Sequence, residues 1–534
     1  MASQRVLSLL SDHQQPVLKL EILLSILTAF FFIFFIHLLL RVFGRTQAAP
    51  VNWPVIGMLP GLMANRHRFL DYCTSILRES GGTVEFKGPW FAGMNFIVTC
   101  DPANANHIFN THFAGYPKGH DFREIFDFLG DGIFNVDDDL WRYQRRTAHA
   151  KLNSLQFQSV VEKWSREKVA SAVLPLLETM EVSGTTVNLQ DVFSRFVFDI
   201  NCRLVLGVDP CSLAPDFPVL PFSVAVDTAQ EISFLRHFVP MFWWKFKRAL
   251  GIGTEKRLAM ANEVIDQFIA QCIVKRREGQ GDQTSPAILS LYMDSDYLDD
   301  LSHLETGVIE YFRSDKFVRD SLLTFLIAGV DSTAAALSWF YHLLLKNPNT
   351  EKKIVQELYE VCPSLLEGQP PSWTVFDAEK IERLVYLHAA LCETMRLFPP
   401  IPLNHKSSLM EDVLPSGHKV QPNTSIFYSI YSAGRMKKVW GDDCLEFKPE
   451  RWISDDGKQK TEPSYKFLVF HCGPRTCLGK AMAFTEMKII AATLIYNFHI
   501  QATEDHVAEH KLSIALQMKN GLKVKVKKRE NTAS

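Results

Sequence analysis

A mainly helical body with a minor β-sheet region, preceded by a single N-terminal membrane helix, is the architecture this sequence predicts. Three observations carry that expectation: a charge-free apolar run near the N-terminus, a long apolar helix pattern in mid-chain, and a few short strand-like segments toward the two ends of the body. The 534 residues are 47% hydrophobic and 22% charged, a globular balance rather than a disordered or fibrous one. With 57 basic against 59 acidic residues, the chain lacks the basic excess of a nucleic-acid binder. Its ten cysteines are scattered without finger-type pairing, and a chain of this length needs no disulfide staples. The body is therefore expected to be reduced and to face the cytosol.

The anchor is read at residues 22–40, ILLSILTAFFFIFFIHLLL, which carry no full charge. As a helix they cross the roughly 30 Å hydrocarbon core. Arg41 and Arg45 follow, placing that flank in the cytosol and residues 1–21 in the lumen. The alternatives are a cleaved signal peptide and a buried core helix. A signal h-region is shorter and ends at a small-residue cleavage site, whereas here arginines intervene. Residues 41–61 read as a hinge, in which Pro50, Pro54 and Pro60 with Gly57 and Gly61 predict a stiff, extended tether. Residues 62–534 then form one body, since no repeat or low-complexity linker divides them. Residues 276–286, RREGQGDQTSP, read as a loop.

Within the body, residues 319–346 carry a nearly continuous helix pattern, apolar on most faces and stopped by Asn347-Pro348. Such a helix must be central and buried. Strands are expected at 83–86, 96–99 and 522–526, the last alternating apolar residues with lysines. The most informative stretch is Phe470-His471-Cys472-Gly473-Pro474-Arg475-Thr476-Cys477-Leu478-Gly479. It is a glycine-bounded, proline-stiffened loop presenting Cys477 just before an apolar helix over 481–496. Unpaired N–H groups and the positive end of a helix dipole favour a thiolate there, and N–H groups beyond Cys477 can donate to the sulfur. Gly473 and Gly479 allow turns and the close approach of a flat ligand. On these residues alone, three plainer readings stay open: half of a zinc site with His471 and Cys472, a redox thiol, or a buried structural cysteine.

The pattern F-x-x-G-x-R-x-C-x-G, met at Phe470, Gly473, Arg475, Cys477 and Gly479, resembles the haem-thiolate signature of the cytochrome P-450 monooxygenases. The resemblance implies haem b as cofactor, Cys477 as its axial iron ligand, Arg475 as a propionate partner and Phe470 packed beside the thiolate. Glu393-Thr394-Met395-Arg396 and Pro449-Glu450-Arg451-Trp452 resemble two further family elements. Glu393 and Arg396 share a helix face at i, i+3. With Arg451 they imply a structural cluster that braces the haem loop. Trp141 and Arg145 match a W-x-x-x-R element implied to support a propionate. Arg142, Arg146 and Lys151 nearby are read either as part of a reductase docking face or as a solvated charged face.

Ala328-Gly329-Val330-Asp331-Ser332-Thr333 resembles the family's oxygen-side element. Ala328 and Gly329 are read as leaving room for the macrocycle. An acid within an apolar helix is costly unless paired, which singles out Asp331; its plainer alternative is an acid satisfied by an arginine. The resemblance implies that Asp331 and the alcohols Ser332 and Thr333 deliver protons for dioxygen activation. Two positions depart from the pattern. Ser332 stands where threonine is usual and lacks the methyl that holds the rotamer. Val330 stands where relatives carry an arginine or similar residue.

Further segments, among them Asn52-Trp53-Pro54, Phe86-Lys87-Gly88-Pro89-Trp90 and Tyr116-Pro117-Lys118-Gly119, resemble the plant fatty-acid and alkane hydroxylase branch. Its nearest members here are mid-chain alkane hydroxylases and enzymes that couple the phenol rings of norbelladine-type precursors. The resemblance implies a single-pass endoplasmic-reticulum enzyme using dioxygen, a small lipophilic plant metabolite and electrons from NADPH-cytochrome P-450 reductase. The chain itself carries no G-x-G-x-x-G unit. C–H hydroxylation of a long-chain alkane or fatty acyl chain is the leading expectation. Oxidative C–C phenol coupling is the alternative, and a non-catalytic haem-binding membrane protein a remote third. Pocket candidates are Phe122, Ile125, Phe126, Phe128, Phe325, Leu326, Ile401, Leu403, Ile514 and Leu516. All are apolar, so placement is expected to rest on shape and burial. Phe242-Trp243-Trp244, followed by Lys245, Lys247 and Arg248, reads as a membrane-dipping segment or as a core helix end.

Overall fold

Exposed apolar side chains dominate the helix α1, Leu23–Ile36, with only Phe34 partly covered, its ring 6.0 Å from that of Trp53. The computed structural model describes residues 23–36, 50–278, 287–291, 310–312, 314–363, 373–504 and 507–529. Helix α1 thus occupies the middle of the expected span, while residues 1–22 and 37–40 lie outside the described residues.

The proline strip departs from an extended tether over its described part. Trp53 and Gly57 pair across a tight turn around Pro54. Pro60 lies in the first turn of α2 (Leu59–Ala64), where its missing N–H is one the helix leaves unpaired anyway. The turn is pressed onto the body. Met58 N–H donates to Lys87 O at 2.7 Å. Gly57 has φ +62°, and a Cβ there would lie 2.2 Å from the same oxygen.

Helix α3 (Phe69–Glu79) leads into β1 (Thr83–Phe86) and β2 (Phe96–Thr99), at the expected positions. Helices α4 (Gly119–Ile125) and α5 (Asp138–Leu152) follow, then strand β3 (Val187–Asn188) and α6 (Leu189–Leu206). Next come α7 (Pro221–Arg236), α8 (Met241–Ala249) and α9 (Gly253–Arg277). Helix α9 carries into the segment expected to be a loop; residues 279–286 lie outside the described set.

The expected central helix is α10, Asp315–Lys346. The Ser314 side chain caps its start by accepting from Phe317 N–H, and Asn347-Pro348 ends it. It is long and apolar enough to cross a membrane, but most of it is buried within the body, so it is a core element. Helix α6 lies directly against it. Further along, Trp339 Nε1 donates to Leu516 O at 2.6 Å and Tyr341 OH to Ala491 O at 3.2 Å.

Helix α11 (Val385–Leu397) precedes strands β4 (Leu403–Ser407) and β5 (Ser425–Ser429). The main sheet runs β1–β2–β5–β4, with β2 parallel to β5 and His405 of β4 opposite Phe427 of β5. Helix α12 (Lys480–Asn497) follows the cysteine loop and leads into β6 (Phe498–Ala502). Strand β7 (Lys523–Lys528) alternates buried Val524 and Val526 with lysines, as its pattern predicts. The two join β3 in a sheet of order β3–β7–β6. One apolar core runs through α6, α10, α11 and α12, and the site lies between α10 and the loop that feeds α12.

Candidate active site

The cysteine loop is held by its own backbone. Cys477 N–H donates to Phe470 O at 2.8 Å, and the Thr476 hydroxyl donates to Gly473 O at 2.7 Å. At Gly473, φ is +65° and a Cβ would fall 1.9 Å from Phe109 O, so only glycine lets the loop lie this close. Phe470 lines the cavity beside Cys477, its ring 5.3 Å from that of Phe484 on α12. Eight of the ten cysteines are buried, whereas Cys477 is exposed and lines the cavity. Burial pushes the Cys477 thiol up, and it outweighs the opposing Gly479 N–H and the charges of Arg145 and Lys480. A bound metal would remove that proton itself. Among the described residues, no group of three or more His, Cys, Asp or Glu side chains is arranged to hold a metal ion.

Beside the loop stands a crowded cationic rim. Arg475 stacks over Trp141, 4.6 Å from guanidinium to ring, and pairs with Asp137 at 2.8 Å. Arg145 donates to Thr476 O at 2.8 Å. Two members went unrecognised in the sequence. The Lys118 ammonium lies 4.2 Å from the Phe122 ring centre, and buried Lys406 donates to Tyr116 O at 2.6 Å. No local signal marked them: Lys406 lies in the largely polar strand Leu403-Asn404-His405-Lys406-Ser407. Burial, with repulsion from Arg475, pulls Lys118 down to about 7. Burial, with repulsion from Lys118 and Arg475, pulls Lys406 well below the usual lysine range. Burial likewise lowers Arg475 to about 10, and its Nε has no partner.

Such a rim calls for anions. An exposed thiol facing α10 across a cavity, with surplus buried cations at one edge, fits an iron porphyrin with two propionates. Trp141, Arg145 and Arg475, which the resemblance assigns to the propionates, border the cavity together with Lys118, while Lys406 is buried outside its lining.

Glu393, Arg396 and Arg451 come together as expected. Arg396 grips the Glu393 carboxylate with Nε at 2.7 Å and Nη2 at 2.8 Å, a bidentate pair that excludes solvent entirely. Arg451 Nε adds a contact at 3.2 Å and Trp452 Nε1 another at 2.9 Å. Arg396 also donates to the carbonyls of Gly434, Cys444 and Glu446. The Trp452 ring meets Phe467 at 4.4 Å, linking this cluster to the approach of the cysteine loop.

On α10, Ala328, Gly329, Asp331, Ser332 and Thr333 all border the cavity. Gly329 meets a further constraint besides bordering the cavity. A Cβ would collide with Asn201 Oδ1 of α6 at 2.0 Å, so the missing side chain lets two helices pack. Asp331 is satisfied not by arginine but by two amides. Gln230 Nε2 of α7 donates to it at 2.5 Å and Gln517 Nε2 at 3.1 Å. Lys511 bridges Gln517 at 3.3 Å and Asp227 at 3.1 Å, beside a second cavity that Asp331 also borders. Burial, reinforced by the charge of Asp227, pushes Asp331 up to about 7. The Ser332 hydroxyl donates to Ala328 O at 2.8 Å, within its own helix.

The cavity encloses about 490 Å³. Phe122, Phe126, Phe128, Phe325, Ile401, Leu403 and Ile514 line it, as expected. Ile125, Leu326 and Leu516 do not: all three belong to the packed core, Leu326 because its neighbour Phe325 takes the cavity-facing side of α10. The lining is also less uniformly apolar than expected. His237, Asn404, His405 and Glu486 are among the lining residues, the ring nitrogens of His405 and the carboxyl oxygens of Glu486 being themselves buried. Helix α8 resolves its two readings into two faces. Trp244 is buried between Arg236 and Arg248, while Phe242, Trp243 and Phe246 are exposed. Arg142 and Arg146 are exposed on α5.

Comparison with known proteins matches residues 48–526 to the family described as Cytochrome P450. The chain is 42% identical over 523 residues to noroxomaritidine synthase 2 of Narcissus aff. pseudonarcissus MK-2014, covering 97% of each chain. It is 40% identical over 505 residues to alkane hydroxylase MAH1 of Arabidopsis thaliana, covering 93% of this chain and 98% of that one. Cytochrome P450 86B1 of Arabidopsis thaliana is 39% identical over 512 residues, with 94% and 89% covered. With the cysteine loop, its brace and its cationic rim in place, this chain belongs to the cytochrome P450 family and is a haem-thiolate monooxygenase.

Proposed function

We propose that the enzyme hydroxylates a C–H bond of a long, lipophilic chain, with Cys477 as axial ligand and electrons arriving from NADPH through a membrane-bound reductase. The carrying observation is the shape and chemistry of the cavity. From Cys477 it continues past Phe122 and Leu403 into aromatic walls formed by Phe69, Phe86, Phe96 and Phe234, and reaches Met58 and Leu62. A flexible chain buries its surface progressively along such a lining, at about 25 cal/mol per Å². In this reading α1 anchors the protein in the endoplasmic reticulum membrane. The exposed Phe242, Trp243 and Phe246 add a second apolar contact to the same membrane.

The bound haem supplies dioxygen reduction and oxidation of the substrate carbon. The chain's own groups do the rest. Trp141, Arg145, Arg475 and Lys118 hold the propionates. Asp331, near neutrality in its proton affinity, holds a proton at the carboxyl oxygens beside the cavity, and Gln517, itself fixed by Lys511, orients that carboxyl group. Phe325 and Leu403 shield the reacting carbon from water.

Intramolecular phenol coupling is the second reading. It draws on the likeness to noroxomaritidine synthase and on the Ser332 hydroxyl, which is turned back onto Ala328 O. Incubating the enzyme and its reductase with a long-chain alkane, a fatty acid and a norbelladine-type phenol separates the two. Oxygen-18 from dioxygen in a chain product supports hydroxylation. A C–C-coupled product without added oxygen, and no chain product, overturns it.

A further inference from the structure

We infer that His237 and His405 form a polar station in the cavity that binds a neutral hydroxyl group of the substrate, so that the preferred ligand is an oxygenated molecule rather than a bare hydrocarbon. This rests on the chain-hydroxylase reading of the same cavity and narrows its substrate class.

The two rings come from opposite walls. His237 follows the last turn of α7, and His405 projects from β4; their centres are 5.7 Å apart and both line the cavity. Phe427 and Phe122 hold the His405 ring, at 4.4 and 5.7 Å. His405 is only 5% exposed, yet neither of its ring nitrogens has a hydrogen-bond partner. Buried polar atoms are nearly always satisfied, and each unsatisfied one is costly, so two on one cavity-lining ring point to a ligand.

His237 is arranged to complement it. Its Nδ1 lies 3.0 Å from Ser233 O and 3.3 Å from Phe234 O, so the proton sits on Nδ1 and Nε2 remains an acceptor. Burial holds both imidazoles in the neutral form, His237 at about 4 and His405 well below the usual histidine range. A neutral His405 offers one donor and one acceptor, and His237 offers a second acceptor. A hydroxyl can accept from the His405 N–H and donate to His237 Nε2 at once, leaving the second His405 nitrogen unpaired. A hydrocarbon leaves the whole set unsatisfied. An ammonium group is disfavoured by the nearby charges of Lys118 and Lys406, both of which act on His405.

Aliphatic alcohol and phenol share this chemistry, and optical binding titrations of the full-length, haem-loaded enzyme tell them apart. The probes are dodecane, 1-dodecanol, the methyl ether of 1-dodecanol and a norbelladine-type phenol. In the unaltered enzyme, dodecanol should bind roughly tenfold tighter than dodecane, with the ether, which cannot donate, in between. His405→Phe should weaken dodecanol about tenfold and leave dodecane within about twofold; His237→Phe should weaken dodecanol about threefold. A thiolate-type spectrum of the reduced carbon monoxide complex reports that each variant is folded. Equal affinity for alcohol and alkane, or an alcohol preference that survives His405→Phe, overturns the station. Should dodecane bind and be oxidised without any hydroxyl preference, the station fails while the hydroxylase reading stands. Should only the phenol bind, and do so in a His405-dependent way, the station stands and the chain substrate fails.

Discussion

Glu393 and Asp331 are both buried acids on helices that border the cavity, and their surroundings could hardly differ more. Glu393 is met by Arg396, Arg451 and Trp452, and also accepts from Lys448 N–H at 3.0 Å. Every lone pair is committed, two of them to a bidentate guanidinium. Asp331 has two amide donors, a neighbouring carboxylate in Asp227 and an ammonium one residue further away. The first environment saturates the carboxylate with donors, two of them guanidinium groups, while in the second burial and the charge of Asp227 raise the proton affinity of Asp331 to about 7. Burial alone does not tell a structural acid from a functional one; the charge and number of its partners do.

Removing a partner from Glu393 should have the largest effect. Arg396→Ala strips the carboxylate of its bidentate cation and frees three carbonyls, and breaking such a buried pair costs about 3–5 kcal/mol. Haem-loaded protein should be nearly absent from the purified variant, and denaturant titration should show the loss directly. Arg451→Ala should cost much less, because Arg396 and Trp452 still hold the acid. Equal losses for the two variants would break the distinction between a saturated acid and a poised one.

Asp331→Asn tests the other side. The fold and the thiolate-type spectrum should persist, since asparagine is the same size, while product formed per NADPH falls about a hundredfold, within the range of a lost proton donor. The sign of the pH dependence follows from the raised proton affinity. Asp331 carries its proton below about pH 7 and loses it above, so turnover that draws on that proton should decline as pH rises through 7. The Asp331→Asn variant should show no such limb. A variant with unchanged coupling and an unchanged profile would make Asp331 as structural as Glu393.

What the sequence made legible follows the range of the interactions. Helix α10 was readable because its apolar faces and its Asn347-Pro348 stop are local. The cysteine loop was readable because glycine, proline and cysteine carry their constraints within ten positions. Glu393 and Arg396 were readable as an i, i+3 pair. The partners of Asp331 were not: Gln230 and Gln517 lie 101 and 186 positions away, and an amide in a helix or loop has no distinctive sequence context. The same holds for His237 and His405, brought together from α7 and β4, and for the rim lysines Lys118 and Lys406. Part of the reason for Gly329 was hidden in the same way. Its missing Cβ is required by Asn201 on α6, which no pattern within α10 announces. Ile125 and Leu326 face the core rather than the cavity because neighbours on one helix point to different sides, and a list of apolar residues does not preserve that.

Glu486 extends the comparison to an acid with no partner at all. It sits on α12 against the cavity, fully buried, and neither carboxyl oxygen has a hydrogen-bond partner. Burial by itself pushes it up to about 8 from an ordinary 4.5. The folded state therefore keeps its proton over a window in which the unfolded chain has released it. Stability should fall as pH rises from about 4.5 to about 8, and the cost should stay constant above that. Asp331 contributes in the same direction, up to about 7. Glu486→Gln removes only the first contribution. Its melting temperature should exceed that of the unaltered enzyme by roughly 4 °C at pH 8.5 and by under about 2 °C at pH 5.5. The gap should widen between those values because only one of the two chains still has a buried acid to ionise at this position. Melting curves that run parallel from pH 5 to 9 would mean that Glu486 has found a partner, and that an acid in this fold is never left to burial alone.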